Sequence, residues 1–234
     1  MSNNNFLEMI PIFPTPIGYI NFGEQSRNLN HQLIAEIEQE MATHKSARRS
    51  FSGNDSAWQS DWGMETKYPG FSQLQEIFKQ AVTGILKTVD LKKEYQDKIH
   101  VYGLWANVIT KSGGWSQPHI HGDGDVVWSG VYYPKSEGSE NINLDEFDRS
   151  KLLTASTVVS EDGVLVLRDP AKVIKNLTKS RLFDSKLFNG ADIYIQPREG
   201  MLILFPASLE HFVTPLINFR EKRYSISFVA DIKQ

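Results

Sequence analysis

Two regimes of hydrophobic periodicity divide the chain. Between residues 29 and 41, Leu29, Leu33, Ile37 and Met41 recur every fourth position with Glu36, Glu38 and Glu40 between them, which predicts an amphipathic helix. A second helical pattern follows the Pro69-Gly70 break, with Leu74, Ile77, Phe78, Ala81, Ile85 and Leu86 on one face, and it runs to about Val89. Ser72 and Gln75 stand at the spacing of a capping box for that helix. The polar stretch 43–68 carries Trp58 and Trp62 and is expected to form an ordered loop.

Beyond residue 100 the period turns strand-like. Runs at 101–109, 128–133, 163–167, 193–195, 201–205 and 223–229 are of strand length, and each is followed within four residues by Gly, Pro, Asn or Asp. Short strands without helices between most of them predict a mainly β fold. The expected form is an antiparallel jelly roll packed against two or more helices. One domain over 1–234 is expected, with residues 1–99 as an N-terminal arm plus supporting helices and 100–234 as the jelly-roll core. Long polar insertions occupy 135–160 and 171–190, the second holding Lys172, Lys175, Lys179 and Arg181.

Composition narrows the chemistry. The 234 residues are 40% hydrophobic, and 25 Lys plus Arg against 28 Asp plus Glu give a net charge of −3. That balance argues against a broad nucleic-acid-binding face. The count of Cys is zero, so disulfides, thiolate metal sites, iron–sulfur clusters and a cysteine nucleophile are all excluded. Any metal must be held by nitrogen and oxygen. Pro11, Pro14 and Pro16 interrupt an N-terminus that has neither a basic region nor an apolar run. It does not read as a signal peptide, and the apolar stretches are too short for a bilayer span, so a cytoplasmic location without membrane contact is expected.

Six histidines are present, two of them in Pro118-His119-Ile120-His121-Gly122-Asp123. Residues two apart on a strand share a face, so either His119 with His121 or His121 with Asp123 can converge on one ion. Nitrogen and oxygen ligands suit Fe(II), Mn, Ni or Zn. A third histidine, His211, follows the apolar run 201–205. In a jelly roll that strand can run beside the His119 strand and bring His211 to the same ion. His31, His44 and His100 read as structural. Further on, alternation in Arg223-Tyr224-Ser225-Ile226-Ser227-Phe228 puts Arg223, Ser225 and Ser227 on one strand face. A guanidinium fork backed by hydroxyls matches a carboxylate. The five tryptophans, Trp58, Trp62, Trp105, Trp115 and Trp128, can line a pocket, although aromatics of an all-β domain ordinarily belong to the core.

Taken together, His119-x-His121 ahead of Ser129-Gly130-Val131-Tyr132-Tyr133, Gly200 with Phe205-Pro206 and His211, and Arg223-x-Ser225-x-Ser227-Phe228 resemble the 2-oxoglutarate and Fe(II)-dependent oxygenases of unassigned substrate frequent in marine bacteria and phages. The resemblance extends to Ile12-Phe13-Pro14-Thr15-Pro16, Trp58-Gln59-Ser60, Trp105-Ala106-Asn107 and Arg168-Asp169-Pro170. It implies the double-stranded β-helix of the prolyl hydroxylases. It also implies Fe(II) and 2-oxoglutarate as cofactors, and a hydroxylase that couples oxoacid decarboxylation by O2 to oxidation of a small-molecule or peptide substrate. His211 then corresponds to the distal metal histidine. Arg223, with Ser225 and Ser227, corresponds to the clamp on the far carboxylate, which Tyr133 shares, and Asn107 to an active-site amide. Prolyl hydroxylases use His-x-Asp, so the first pair stays open between His119 with His121 and His121 with Asp123. The fourteen residues from His119 to Tyr133 match the prolyl-hydroxylase interval better and favour the three-histidine set. A cupin-like metalloenzyme without 2-oxoglutarate, and a non-catalytic jelly-roll module offering the Trp58 to Trp62 loop to a partner, are the alternatives.

Overall fold

Ten strands and two α-helices are present in the computed structural model, which describes residues 15–45, 55–122, 124–136, 162–170 and 192–233. The helices are α1 (Arg27–Thr43) and α2 (Pro69–Thr88); the first strands are β1 (Gly18–Asn21), β2 (Ala57–Gln59), β3 (Ile99–Ile109), β4 (Gly114–His119) and β5 (Val126–Lys135). The remaining strands are β6 (Leu165–Leu167), β7 (Ile193–Ile195), β8 (Met201–Pro206), β9 (His211–Leu216) and β10 (Arg223–Ile232). They form one sheet in the order β1-β8-β5-β10-β3-β2 and a second in the order β4-β9-β6-β7, with every pairing antiparallel. From β3 onward the chain crosses repeatedly between the two sheets, as the jelly-roll expectation requires. Most of the two long insertions and Lys172 to Arg181 lie outside the described residues. Among the described residues no helix is long and apolar enough to cross a membrane.

The larger sheet is covered on both faces, which is why its strands read as nearly continuous apolar runs. Leu33 and Ile37 of α1, Phe71, Leu74, Phe78, Val82 and Leu86 of α2, and Tyr132, Leu202, Ile226 and Phe228 of the sheet share one buried cluster. Phe78 stacks on Phe228 with ring centroids 4.1 Å apart. On the opposite face, Val131, Tyr133, Met201, Ile203 and Phe205 meet Leu165, Leu167 and Ile195 of the smaller sheet. Alternation along β5, β8 and β10 sorts these side chains between the two faces.

Three expectations are corrected. Helix α2 begins at Pro69, not at Ser72, and the amide of Ser72 bonds the Tyr68 carbonyl as an ordinary helical link. Proline suits the first helical position, and the Gly70 amide is capped from α1 by the Glu36 carboxylate at 2.9 Å. A long-range cap leaves no signal in local spacing. The 43–68 stretch is not all loop, since Ala57–Gln59 is an edge strand on β3 and 64–66 forms a 3-10 turn. Finally, β8 does not run beside the His119 strand: it pairs with β1 and β5 in the larger sheet, whereas β9, which starts at His211, pairs with β4. Strands β4 and β9 escape the hydrophobic pattern because Gly114, Pro118 and Pro215 interrupt short, half-polar runs.

Candidate active site

Between the sheets lies a cavity of about 400 Å³. Its floor is laid down by the β3/β10 register, which pairs Trp105 with Ser227, Asn107 with Ser225, and Ile109 with Arg223. The β3 side chains among them face inward only because of a bulge. Two residues, Gly103 and Leu104, stand opposite Phe228, and Gly103 takes φ +62°. Before the bulge the odd-numbered Ile99 and Val101 pack toward the helices; after it the even-numbered Leu104, Ala106 and Val108 do. Trp105 and Asn107 are thereby turned into the cavity. The signal for this was a glycine inside a strand pattern, where a bulge is the usual reason.

The opposite wall holds three histidines. Their candidate ligand atoms all lie within 4.8 Å of one another. His119 and His211 are register partners across β4 and β9, with rings 4.3 Å apart, and the His121 ring lies 5.0 Å from each. His119 Nδ1 lies 2.8 Å from the Gln117 carbonyl and His211 Nδ1 lies 2.9 Å from the Leu209 carbonyl. A carbonyl only accepts, so each Nδ1 donates its proton and leaves the lone pair on Nε2. Burial holds all three rings below the usual imidazole pKa: His119 is lowered, His121 falls to about 4 with His119 adding to the effect, and His211 falls to about 3. Neutral imidazoles with fixed tautomers, and no sulfur in the chain, form a donor set that fits a divalent first-row ion. Asp123, the alternative carboxylate ligand, lies outside the described residues.

At the other end of the cavity, Arg223 is 5% exposed. It donates to the carbonyl of Gly163, and its guanidinium carbon sits 5.3 Å from the centre of the Tyr133 ring. The Tyr133 hydroxyl is buried without a hydrogen bond of ordinary geometry, and burial raises its pKa while the neighbouring guanidinium opposes the rise. A buried hydroxyl left over beside an arginine fits a bound carboxylate, which would accept from both. The Asn107 amide lies 3.4 Å from Ser227 Oγ, and Ser225 Oγ donates to the Asn107 carbonyl at 3.5 Å. All eight described site residues therefore line this one cavity.

Four of the five tryptophans, Trp58, Trp62, Trp105 and Trp115, also line it, whereas Trp128 belongs to the helix-side core. The default assignment of these aromatics to the core is thus corrected for Trp62, Trp105 and Trp115, whereas Trp58 both lines the cavity and packs in the helix-side core. Gln59 and Ser116, not singled out from the sequence as site residues, line it as well.

Residues 103–229, a little over half of the chain, match the family described as "Putative 2OG-Fe(II) oxygenase". No curated protein matches the sequence. Among solved structures, a Pseudomonas putida prolyl-4-hydroxylase is similar with a TM-score of 0.58 at 13% identity, covering 94% of each chain. The epimerase SnoN from nogalamycin biosynthesis, in complex with Fe3+, alpha ketoglutarate and nogalamycin RO, has a TM-score of 0.60 at 11% identity, covering 93% of this chain and 79% of its own. A Trichoplax adhaerens prolyl hydroxylase in complex with a hypoxia inducible factor peptide fragment has a TM-score of 0.53 at 14% identity, covering 92% and 83%. These likenesses establish the double-stranded β-helix fold. The matched segment holds all eight described site residues and the bulge that orients them, and the chain belongs to the 2-oxoglutarate and Fe(II)-dependent oxygenase family.

Proposed function

We propose that this oxygenase is a hydroxylase whose ferrous ion is held by His119, His121 and His211, and whose 2-oxoglutarate is held at its far carboxylate by Arg223. The observation that carries the reading is one cavity with three neutral imidazoles on one wall and a buried guanidinium at its far end. When bound, iron and 2-oxoglutarate supply the oxidising power, with O2 consumed, the oxoacid decarboxylated to succinate, and one oxygen atom passed to the substrate.

The chain's own residues supply geometry and dryness. Backbone carbonyls of Gln117 and Leu209 hold the His119 and His211 rings with Nε2 aimed into the cluster. The low pKa values of His121 and His211 keep their lone pairs unprotonated well below neutral pH, and burial shifts His119 the same way, so protons compete less with the metal. Arg223 is pre-aimed by its bond to Gly163, and a planar fork recognises a carboxylate at both oxygens. Tyr133 adds one donor, and Ser225 and Ser227 line the route between the two ends. Val131, Leu165, Phe205 and Val213 close the remaining walls with apolar surface, which keeps water from the reacting centre.

The test is iron-dependent turnover. Purified chain given Fe(II), 2-oxoglutarate and air should release succinate, and His211→Ala should abolish release while the far-ultraviolet circular dichroism is retained. Succinate release that persists in a folded His211→Ala variant contradicts the ligand assignment.

A further inference from the structure

Trp62 is a large apolar side chain left 47% exposed at the cavity mouth, yet it is not loose. It stacks flat on Trp105 with ring centroids 4.8 Å apart and planes 6° from parallel, and Trp105 in turn meets the His121 ring edge-on at 5.5 Å. Three devices hold it there. Gly103 sits in left-handed backbone directly beneath the indole, where an added Cβ would lie 2.9 Å from Trp62 Cε3. The Glu65 carboxylate accepts from the amides of Gly103 and Leu104 at 2.8 and 2.9 Å, satisfying the two donors that the bulge leaves out of the ladder. The Gly63 amide bonds the Leu104 carbonyl at 3.1 Å, tying the Trp62 loop to the same bulge. A bulge glycine, a carboxylate committed to backbone and an exposed indole are each costly in isolation. Together they fix one aromatic face at the entrance.

We infer that Trp62, on the platform of Trp105, is the substrate-binding lip, and that it takes a ring of the substrate bearing no anionic group against its open face. This rests on the active-site reading above. The charge of the ring follows from the lining: Trp58, Trp62, Trp105 and Trp115 present π-faces that disfavour anions, and Arg223 is committed to the cosubstrate carboxylate at the other end of the cavity. Gln59 and Asn107 add amide groups suited to a neutral polar substituent. Trp62 is a specificity-determining residue, and Glu65 is a positioning residue acting through it.

The experiment uses anaerobic chain loaded with Fe(II) and 2-oxoglutarate, titrated calorimetrically with indole, tryptamine and indole-3-acetate as neutral, cationic and anionic probes of one ring. Indole and tryptamine should each bind more tightly than indole-3-acetate. Trp62→Ala should weaken indole by about tenfold, Trp62→Phe should recover most of that loss, and Glu65→Ala should produce a smaller loss. Affinity for 2-oxoglutarate should be unchanged in all three variants, which separates failure of the lip from failure of the cofactor site. Preference for indole-3-acetate over indole, absence of indole binding to wild type, or equal indole affinity in wild type and Trp62→Ala would overturn the inference.

Discussion

Replacing Arg223 by alanine removes a guanidinium that is 5% exposed and lies against the Tyr133 ring in the inter-sheet cavity. For the empty protein the change removes the hydrogen bond to the Gly163 carbonyl and the contact with the Tyr133 ring, each a loss of order 1 kcal/mol. For 2-oxoglutarate the change is large. Its far carboxylate would stay beside the buried Tyr133 with its cationic partner gone. Truncating one member of a buried charge pair costs about 2–5 kcal/mol, which is roughly 30- to several-thousand-fold in affinity. Arg223→Lys keeps the charge but loses the fork, so it should fall between the two. The assay is calorimetric titration of 2-oxoglutarate into the anaerobic Fe(II)-loaded chain, with Arg220→Ala, an exposed arginine outside the cavity lining, as the control. Iron should still bind to every variant. Equal affinity in wild type and Arg223→Ala refutes the carboxylate clamp, and absence of 2-oxoglutarate binding to wild type favours a cupin-like site.

Two further predictions concern the scaffold. Gly103→Ala forces a Cβ into left-handed backbone and against Trp62, and at about 2 kcal/mol it should lower Tm by roughly 4–8 °C; a Tm change below 1 °C in a calorimetric scan would contradict the bulge argument. At Glu40, burial alone would raise the carboxyl, but Lys67 at 2.9 Å and Tyr68 at 2.7 Å outweigh it and hold the pKa below 4.5. The resulting stability is present above the unfolded pKa and is lost as pH falls through the folded one. Urea midpoints should therefore show wild type above Glu40→Gln at pH 7 and the two converging at the acid end, and a gap that stays constant down to pH 3 would show that the carboxylate's ionisation contributes nothing.

Much of this architecture was legible in the chain. The four-residue recurrence from Leu29 to Met41 gave α1, and the alternation at Arg223 to Phe228 sorted Arg223, Ser225 and Ser227 to the cavity and Tyr224, Ile226 and Phe228 to the helices. Convergence of His119, His121 and His211 followed from strand spacing and the jelly-roll connection, though through β9 rather than β8. What was hidden depends on partners distant in sequence. The cap on Gly70 comes from Glu36, and the bulge at Gly103 is satisfied by Glu65. Neither partner has a local signature. Because the bulge decides which way Trp105 points, the aromatic lip could not be separated from the core by periodicity alone.

Iron content per chain, measured anaerobically after equilibration with limiting Fe(II) and gel filtration, tests the central claim most directly when compared across wild type, His119→Ala, His121→Ala and His211→Ala. The three rings share one cluster, so wild type should retain about one ion and each variant should lose tight binding while keeping its fold, since removing one of three ligands opens the site without opening the core. Wild-type iron content in any folded single variant would contradict the three-histidine centre, and normal content in His119→Ala would shift the first ligand pair to His121 and Asp123.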